Sequence, residues 1–340
     1  MTKKLEIIAE IAQGYEGNLD LCLLYIRAAK KAKADAVKFQ MVYADDLCVP
    51  EYKYYKLFKS LELKRTDWQE ITRFCHEMDI QLQVDIFGEK SLNMVSNIGL
   101  GTIKLHGTDT NNLNLLKAIS SSSINRIILG IGGANLKEID NAVTILNNKN
   151  ITLMHGFQGY PTPVNCNQIS RIKYLNDYFI NKGNLINFGF GDHSDNDNSN
   201  LNLSISLSSL ALAFGATTIE KHLTLSNIVE LEDYESALNP DNFSTFSEIL
   251  NKTFYAIGKI KNTNDFGMDN KEINYRNTIR RDVVAKKDIQ KGTQLTKEHL
   301  TLKRTPNKNS IKDIETLYGK KITASIKQND NLMQEMFEDN

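Results

Sequence analysis

The sequence predicts an α/β protein: a TIM (β/α)8 barrel followed by a small β-rich domain. Three observations carry this reading. Short apolar runs alternate with amphipathic stretches up to about residue 257, giving eight strand–helix units, and eight such units in about 250 residues fit a (β/α)8 barrel. The stretch 259–278 is polar, asparagine-rich and aperiodic, and it reads as a linker. From residue 279 the pattern changes to short strands, a Lys291-Gly292 turn and one helical turn, a unit too small for a thick core of its own. The expected division is therefore 1–258, 259–278 and 279–340. A doubly wound parallel sheet is the alternative for the alternating part.

The elements follow in order. LEIIAEI at 5–11 reads as a buried strand. Asn18 then stands as N-cap to a helix whose Leu19, Leu23, Ile26 and Ala29 share one face. AVKFQ at 36–40 is the second strand. Residues 41–64 are tyrosine-rich and irregular, and loops of that length usually cover or line a site. Further strands are expected at 82–87, 102–106, 126–130, 151–155, 186–190 and 217–222. Helical spacing marks 136–146, 168–180, 203–214 and 242–257.

Composition excludes several classes of function. Lys+Arg and Asp+Glu are both 41, so the net charge is zero, and nothing draws the chain toward nucleic acid or anionic lipid. Hydrophobic residues make up 41%, enough for a sizeable core and too much for wholesale disorder. The opening MTKKLEIIAEIAQ is too charged for a signal peptide, and no apolar run approaches a membrane span. The four cysteines are scattered without a CxxC pair, which suits reduced thiols in the cytoplasm.

In a TIM barrel the chemistry lies at the C-terminal ends of the strands. The polar residues expected there are Glu10, Gln13, Lys38, Gln40, Asp85, Lys104, His106, Asp109, His155, Gln158, Tyr160, Asp192, His193, Glu220, Lys221 and His222. His193 and His222 end the seventh and eighth strands, which are neighbours in a barrel. Two neutral imidazoles so placed can share a divalent cation that polarises a carbonyl. The alternative is a pair of core histidines bonded to carboxylates. Lys38 and Lys104 point into the same mouth and read as a cationic floor for a phosphate plus a carboxylate. Salt bridges to Glu10 and Asp85 are the alternative. GIGG at 130–133 is a turn that can bring backbone N–H groups to a phosphate; a plain tight turn explains it as well.

Taken together, IIAEIAQGYEGNLDLC, ADAVKFQ, IKLHGTDTNN, LMHGFQGYPTP, GFGDHS and GATTIEKHLTL resemble the sialic acid synthase family. The family includes N-acetylneuraminate, legionaminate and pseudaminate synthases. RDVVAKKDIQKGTQLTKEHLTLKRTP is similar to its C-terminal antifreeze-like (SAF) domain. The resemblance implies a transferase that condenses phosphoenolpyruvate with the open-chain aldehyde of an N-acyl hexosamine such as N-acetylmannosamine, releasing phosphate by C–O cleavage. It also implies a homodimer in which each SAF domain caps the partner's barrel, and a divalent cation, manganese before magnesium or cobalt. By position, His193 and His222 would hold the metal, and Lys38 and Lys104 the phosphoenolpyruvate. Glu10 and Gln40 would contact the sugar or handle protons, and Asp109 would serve in acid/base work. Gln158, Tyr160 and Asp233 would line the substrate site, and Arg304 would reach the partner's N-acyl group.

The chain also departs from the family pattern. Gly107 and Gly130 stand where the family has serines, Asp109 replaces a glutamate, and Gln158 replaces an asparagine. The loop after His193 is extended by SDNDNSN, an acidic lip containing Asp195 and Asp197.

Overall fold

The computed structural model describes residues 4–157, 159–195, 201–258, 264, 266–306 and 310–337. The chain divides into two compact units, 1–258 and 259–340.

In the first unit the elements run β1 (Glu6–Ala12), α1 (Leu19–Lys31), β2 (Ala36–Met41), α2 (Ala44–Leu47), α3 (Tyr55–Ser60), α4 (Arg65–Glu77), β3 (Gln81–Ile86), α5 (Glu89–Ile98) and β4 (Thr102–Leu105). They continue as α6 (Leu113–Ser121), β5 (Arg126–Gly130), α7 (Leu136–Ile145), β6 (Asn150–His155), α8 (Ser170–Asn181), β7 (Asn187–Asp192), α9 (Leu201–Ala213), β8 (Thr218–Leu223), β9 (Ala237–Leu238) and α10 (Pro240–Ile257). Strands β1 to β8 pair in parallel in sequence order, and β1 pairs with β8, closing the barrel. A closed parallel ring needs a crossover between successive strands, and the helices supply it. Their apolar stripes pack on the outward-facing strand residues in one continuous core.

Asparagine has a structural use here. Asn18, Asn112, Asn135 and Asn239 each accept from first-turn N–H groups of α1, α6, α7 and α10, satisfying donors that a helix start leaves unpaired. Inside the ring, side chains alternate in and out with period two. Glu6, Gln83, Arg126 and Thr218 are hydrogen-bonded together at the N-terminal end. Ile8, Ala36, Ile128 and Met154 form an apolar plug above them. Above the plug lie Glu10, Lys38, Asp85, Lys104 and Glu220.

Two expectations need correcting. The stretch 41–64 is not wholly irregular, because it contains α2 and α3. The expected linker is not irregular throughout: it ends in helix α11 (Asn270–Ile279), capped by Asp269. Every residue of that helix is at least partly exposed, so it shows none of the one-sided apolar spacing that marks a packed helix. The two-residue strand β9 is too short to carry any period.

The second unit pairs β10 (Asp282–Ala285) with β11 (Leu300–Lys303) antiparallel. Isolated bridges extend the β character through Ile289, Gln294, Ile322 and Phe337. Its own small core includes Val283, Leu295, Leu300, Leu317, Ile322 and Leu332.

Candidate active site

The C-terminal mouth of the barrel holds five fully buried ionisable groups in contact. Glu10, on β1, touches the Lys38 amine on β2. Lys38 Nζ also lies 2.8 Å from Asp85 Oδ1 on β3 and 3.4 Å from Glu220 Oε2 on β8. Lys104 Nζ, on β4, donates to Glu220 Oε1 at 2.6 Å and lies 3.8 Å from Asp85 Oδ2. The expected cationic floor is therefore corrected: three carboxylates face two ammoniums. The alternative of salt bridges to Glu10 and Asp85 is what the structure shows; Glu220 received no role from the sequence. Strand alternation could have found it, since Glu220 falls on the same face as His222.

The balance of charge decides the protonation. Burial works against the charge on Lys38, but Asp85, Glu10 and Glu220 outweigh it and hold the amine protonated. Burial also opposes ionisation of Glu220, yet Lys104 and Lys38 hold it below the usual carboxylate range. Glu10 moves the other way, up to about 7, through burial and the neighbouring Glu220 and Asp85, with Lys38 only partly offsetting them. The contact with Lys38 favours an ionised Glu10, but burial and the two neighbouring carboxylates outweigh it, so Glu10 holds its proton near neutrality. The sign of the pH dependence follows. Folded Glu10 keeps its proton to about pH 7, whereas the unfolded group releases it near its ordinary 4.5. Stability from this group is thus full below 4.5 and declines as pH rises toward 7, by up to about 3 kcal/mol. Glu10→Gln is expected to flatten that decline, read as denaturation midpoints between pH 4.5 and 8; an unaltered slope would place the proton elsewhere.

His193 follows the last residue of β7, and His222 lies within β8. Both are buried, with ring centroids 5.5 Å apart. His193 Nδ1 lies 2.6 Å from the Phe157 carbonyl, so it carries the proton and leaves Nε2 as a free lone pair. Burial lowers His193 to about 4 and His222 well below its ordinary value, so both rings are neutral at pH 7. Gly191 faces the same space. A side chain there would start 3.6 Å from His193 Nε2 and 3.9 Å from Glu220 Oε1, so glycine keeps the space before Nε2 open. Among the described residues no group of three or more His, Cys, Asp or Glu side chains surrounds one metal position. Two neutral imidazoles with open remaining positions nevertheless fit a divalent cation completed by water or substrate.

The other expected residues divide. The Tyr160 ring lies over both histidines, 4.6 Å from His193 and 5.5 Å from His222. Asp233 Oδ2 lies 3.8 Å from His222 Nδ1, and burial with Glu232 and Glu235 raises its carboxyl to about 7. Gln40 sits above Lys38 and accepts from Gln13 at 2.8 Å. Asp109 stands at the rim after β4, where its carboxylate accepts from Asn112 at 3.0 Å, with no ion pair into the buried cluster. His155 points outward and meets the Asn167 carbonyl at 2.8 Å. Arg304 lies in the second unit, exposed, with Nε donating to the Ile279 carbonyl at 3.2 Å. Gln158 and Asp197 lie outside the described residues.

The structure explains two departures from the family pattern. A Cβ on Gly107 would lie 2.6 Å from the Gly132 carbonyl, and one on Gly130 would lie 2.9 Å from Gly107 N. The β4 and β5 turns are packed backbone to backbone, so serine fits neither position as the turns now stand.

A closed parallel barrel with a buried cluster of acids, amines and imidazoles at its C-terminal mouth is an enzyme architecture. The chain belongs to the NeuB family, whose profile matches residues 25–262, and a SAF domain matches residues 280–338. It is 30% identical over 353 residues to an N,N'-diacetyllegionaminic acid synthase of Campylobacter jejuni, covering 98% of this chain and all of that one. A pseudaminic acid synthase of the same species is 26% identical, covering 99% of this chain and 97% of that one. The crystal structure of an N-acetylneuraminic acid synthetase from Leptospira borgpetersenii in complex with citrate superposes with a TM-score of 0.70 at 27% identity, covering 82% of this chain and 93% of that chain.

Proposed function

We propose that the protein is a phosphoenolpyruvate-dependent nonulosonic acid synthase, a transferase that joins phosphoenolpyruvate to the open-chain aldehyde of an N-acyl hexosamine. The observation that carries this reading is the joining of His193 and His222 to the buried Glu10–Lys38–Asp85–Lys104–Glu220 network in one mouth. By resemblance, Lys104 and Lys38 would face the carboxylate and phosphate of the enol, exchanging part of their present contacts with Glu10, Asp85 and Glu220 for them. Carbon 3 of the enol attacks the aldehyde carbon, water adds at C2, and the C2–O bond to phosphate breaks. Glu10, protonated near neutrality, suits the proton transfers this requires; Asp109 at the rim is the second candidate. Tyr160 and Asp233 wall the acceptor side, with Gln40 on the opposite strand. A divalent cation on His193 and His222, manganese by resemblance, would supply Lewis acidity to the aldehyde oxygen.

The glycine turns support a backbone cradle for phosphate. Among the described residues, none accepts a hydrogen bond from the N–H of Gly132 or Gly133. Gly107→Ser is expected to lose phosphoenolpyruvate affinity and about 1–3 kcal/mol of stability by overpacking the turn, measured by calorimetry and thermal unfolding. Tighter binding in that variant, or a complex with no backbone contact there, would reject the cradle.

Acceptor choice rests on loops, so synthesis of a legionaminate- or pseudaminate-type product is part of the same reading. The deciding assay supplies phosphoenolpyruvate, manganese and a panel of N-acyl hexosamines, and measures released phosphate and 2-keto acid. Turnover with none of them would overturn the proposal. The exposed Arg304 fits a swapped dimer. A mass in solution of twice 38.5 kDa, and a weaker acceptor KM in Arg304→Ala, are the expected results.

A further inference from the structure

We propose that Lys221 is a positioning residue for the two histidines, a role that rests on the reading of His193 and His222 as a metal pair. Lys221 immediately precedes His222 on β8. Its neighbours Glu220 and His222 point into the lumen, so alternation turns Lys221 outward, where it is fully buried. Its amine grips both residues that flank His193. It lies 3.2 Å from Asp192 Oδ2, 2.9 Å from the Ser194 carbonyl and 3.4 Å from Ser194 Oγ. Asp192 Oδ1 in turn accepts from Ser194 N at 2.9 Å, and Ser194 Oγ meets Ser204 Oγ of α9 at 3.0 Å.

This clamp matters because β7 ends at Asp192. His193 has left the ladder, so other bonds must set its position. Its carbonyl accepts from Thr162 N at 2.7 Å and Ser236 Oγ at 2.9 Å, and its ring is tied to Phe157. Phe157 and Thr162 come from the loop after β6, and Ser236 directly precedes β9, which pairs with β8 at His222. The β7–β8 ladder reaches Asp192, level with Lys221, and goes no further; the Lys221 side chain extends that tie past His193 to Ser194, so it holds the chain on both sides of His193 to the strand that carries His222. Ionic and hydrogen-bonded partners behind a metal ligand typically change metal affinity about 10–100-fold when removed.

The test compares three full-length proteins stripped of metal: the wild type, His193→Ala, and the double variant Asp192→Asn/Lys221→Met. The asparagine still accepts from Ser194 N, and no buried charge is left alone. Manganese binding is measured by calorimetry, and the visible spectrum of bound cobalt reports ligand geometry. The double variant is expected to unfold cooperatively, bind manganese about 10–100-fold more weakly, and show shifted cobalt bands. If it does not fold, Asp192→Asn/Lys221→Gln keeps a donor at the site and is expected to fold and to bind manganese more weakly than the wild type, with shifted cobalt bands; wild-type affinity and spectrum there would overturn the positioning role. Wild-type affinity and spectrum in the folded variant, with binding lost in His193→Ala, would overturn the positioning role alone. Unchanged binding in His193→Ala would overturn the metal reading and this inference with it.

Discussion

Lys38→Met is expected to lose about 3–5 kcal/mol of stability and all measurable condensation. Lys38 is fully buried and meets Glu10, Asp85 and Glu220 at once. Methionine matches the stem in volume, so the loss comes from charge rather than from a cavity. Three carboxylates would then share only Lys104, which reaches Glu220 and, at longer range, Asp85. The network must take up protons or water to persist, so the missing stability should return in part as pH falls toward 5 and the carboxylates neutralise. That slope runs in the same direction as the one assigned to Glu10 but is steeper, because more than one acid loses its counter-charge. Denaturant midpoints of variant and wild type from pH 5 to 8 measure it. A variant as stable as the wild type at pH 8 would show that Lys38 is not the principal counter-charge in the barrel.

Local pattern carried the barrel. The alternation of strand and helix needs only near neighbours, and β5 begins and ends where the apolar run 126–130 does. Elements without a period were not legible: α2, α3 and the two-residue β9 are short, and α11 lacks an apolar face. The site was legible as a set of strand-end residues but not as a charge balance. Pairing of Lys38 and Lys104 with Glu10 and Asp85 stood as the alternative to a cationic floor, but the third carboxylate was out of sight, because Glu220 is 116 residues from Lys104. Pairing across a closed barrel depends on register, and a single sequence does not state register. Gly107 and Gly130 make the same point from the backbone. As letters they are missing hydroxyls, whereas in the fold each is required because another backbone occupies the place of its Cβ.

His222→Ala and His193→Ala are the variants expected to lower kcat/KM most, by about 10³-fold or more. Removing one group that stabilises a developing oxyanion already costs about 10²–10³-fold. On the proposed metal reading each substitution also halves a donor set of two, since the described residues offer no group of three His, Cys, Asp or Glu side chains. The rings differ in what else they do. His193 anchors the Phe157 loop through Nδ1 and carries the carbonyl bonded by Thr162 and Ser236. His222 lies within β8, where the ladder holds its backbone. His222→Ala is therefore expected to leave the Tyr160 loop in place and to lose chemistry with little change in melting temperature, whereas His193→Ala should lose both. Raising manganese to millimolar levels should recover part of the His222→Ala rate if one imidazole still binds weakly. Rates within tenfold of wild type in both variants, at any manganese concentration, would mean that the two histidines do not carry the reaction.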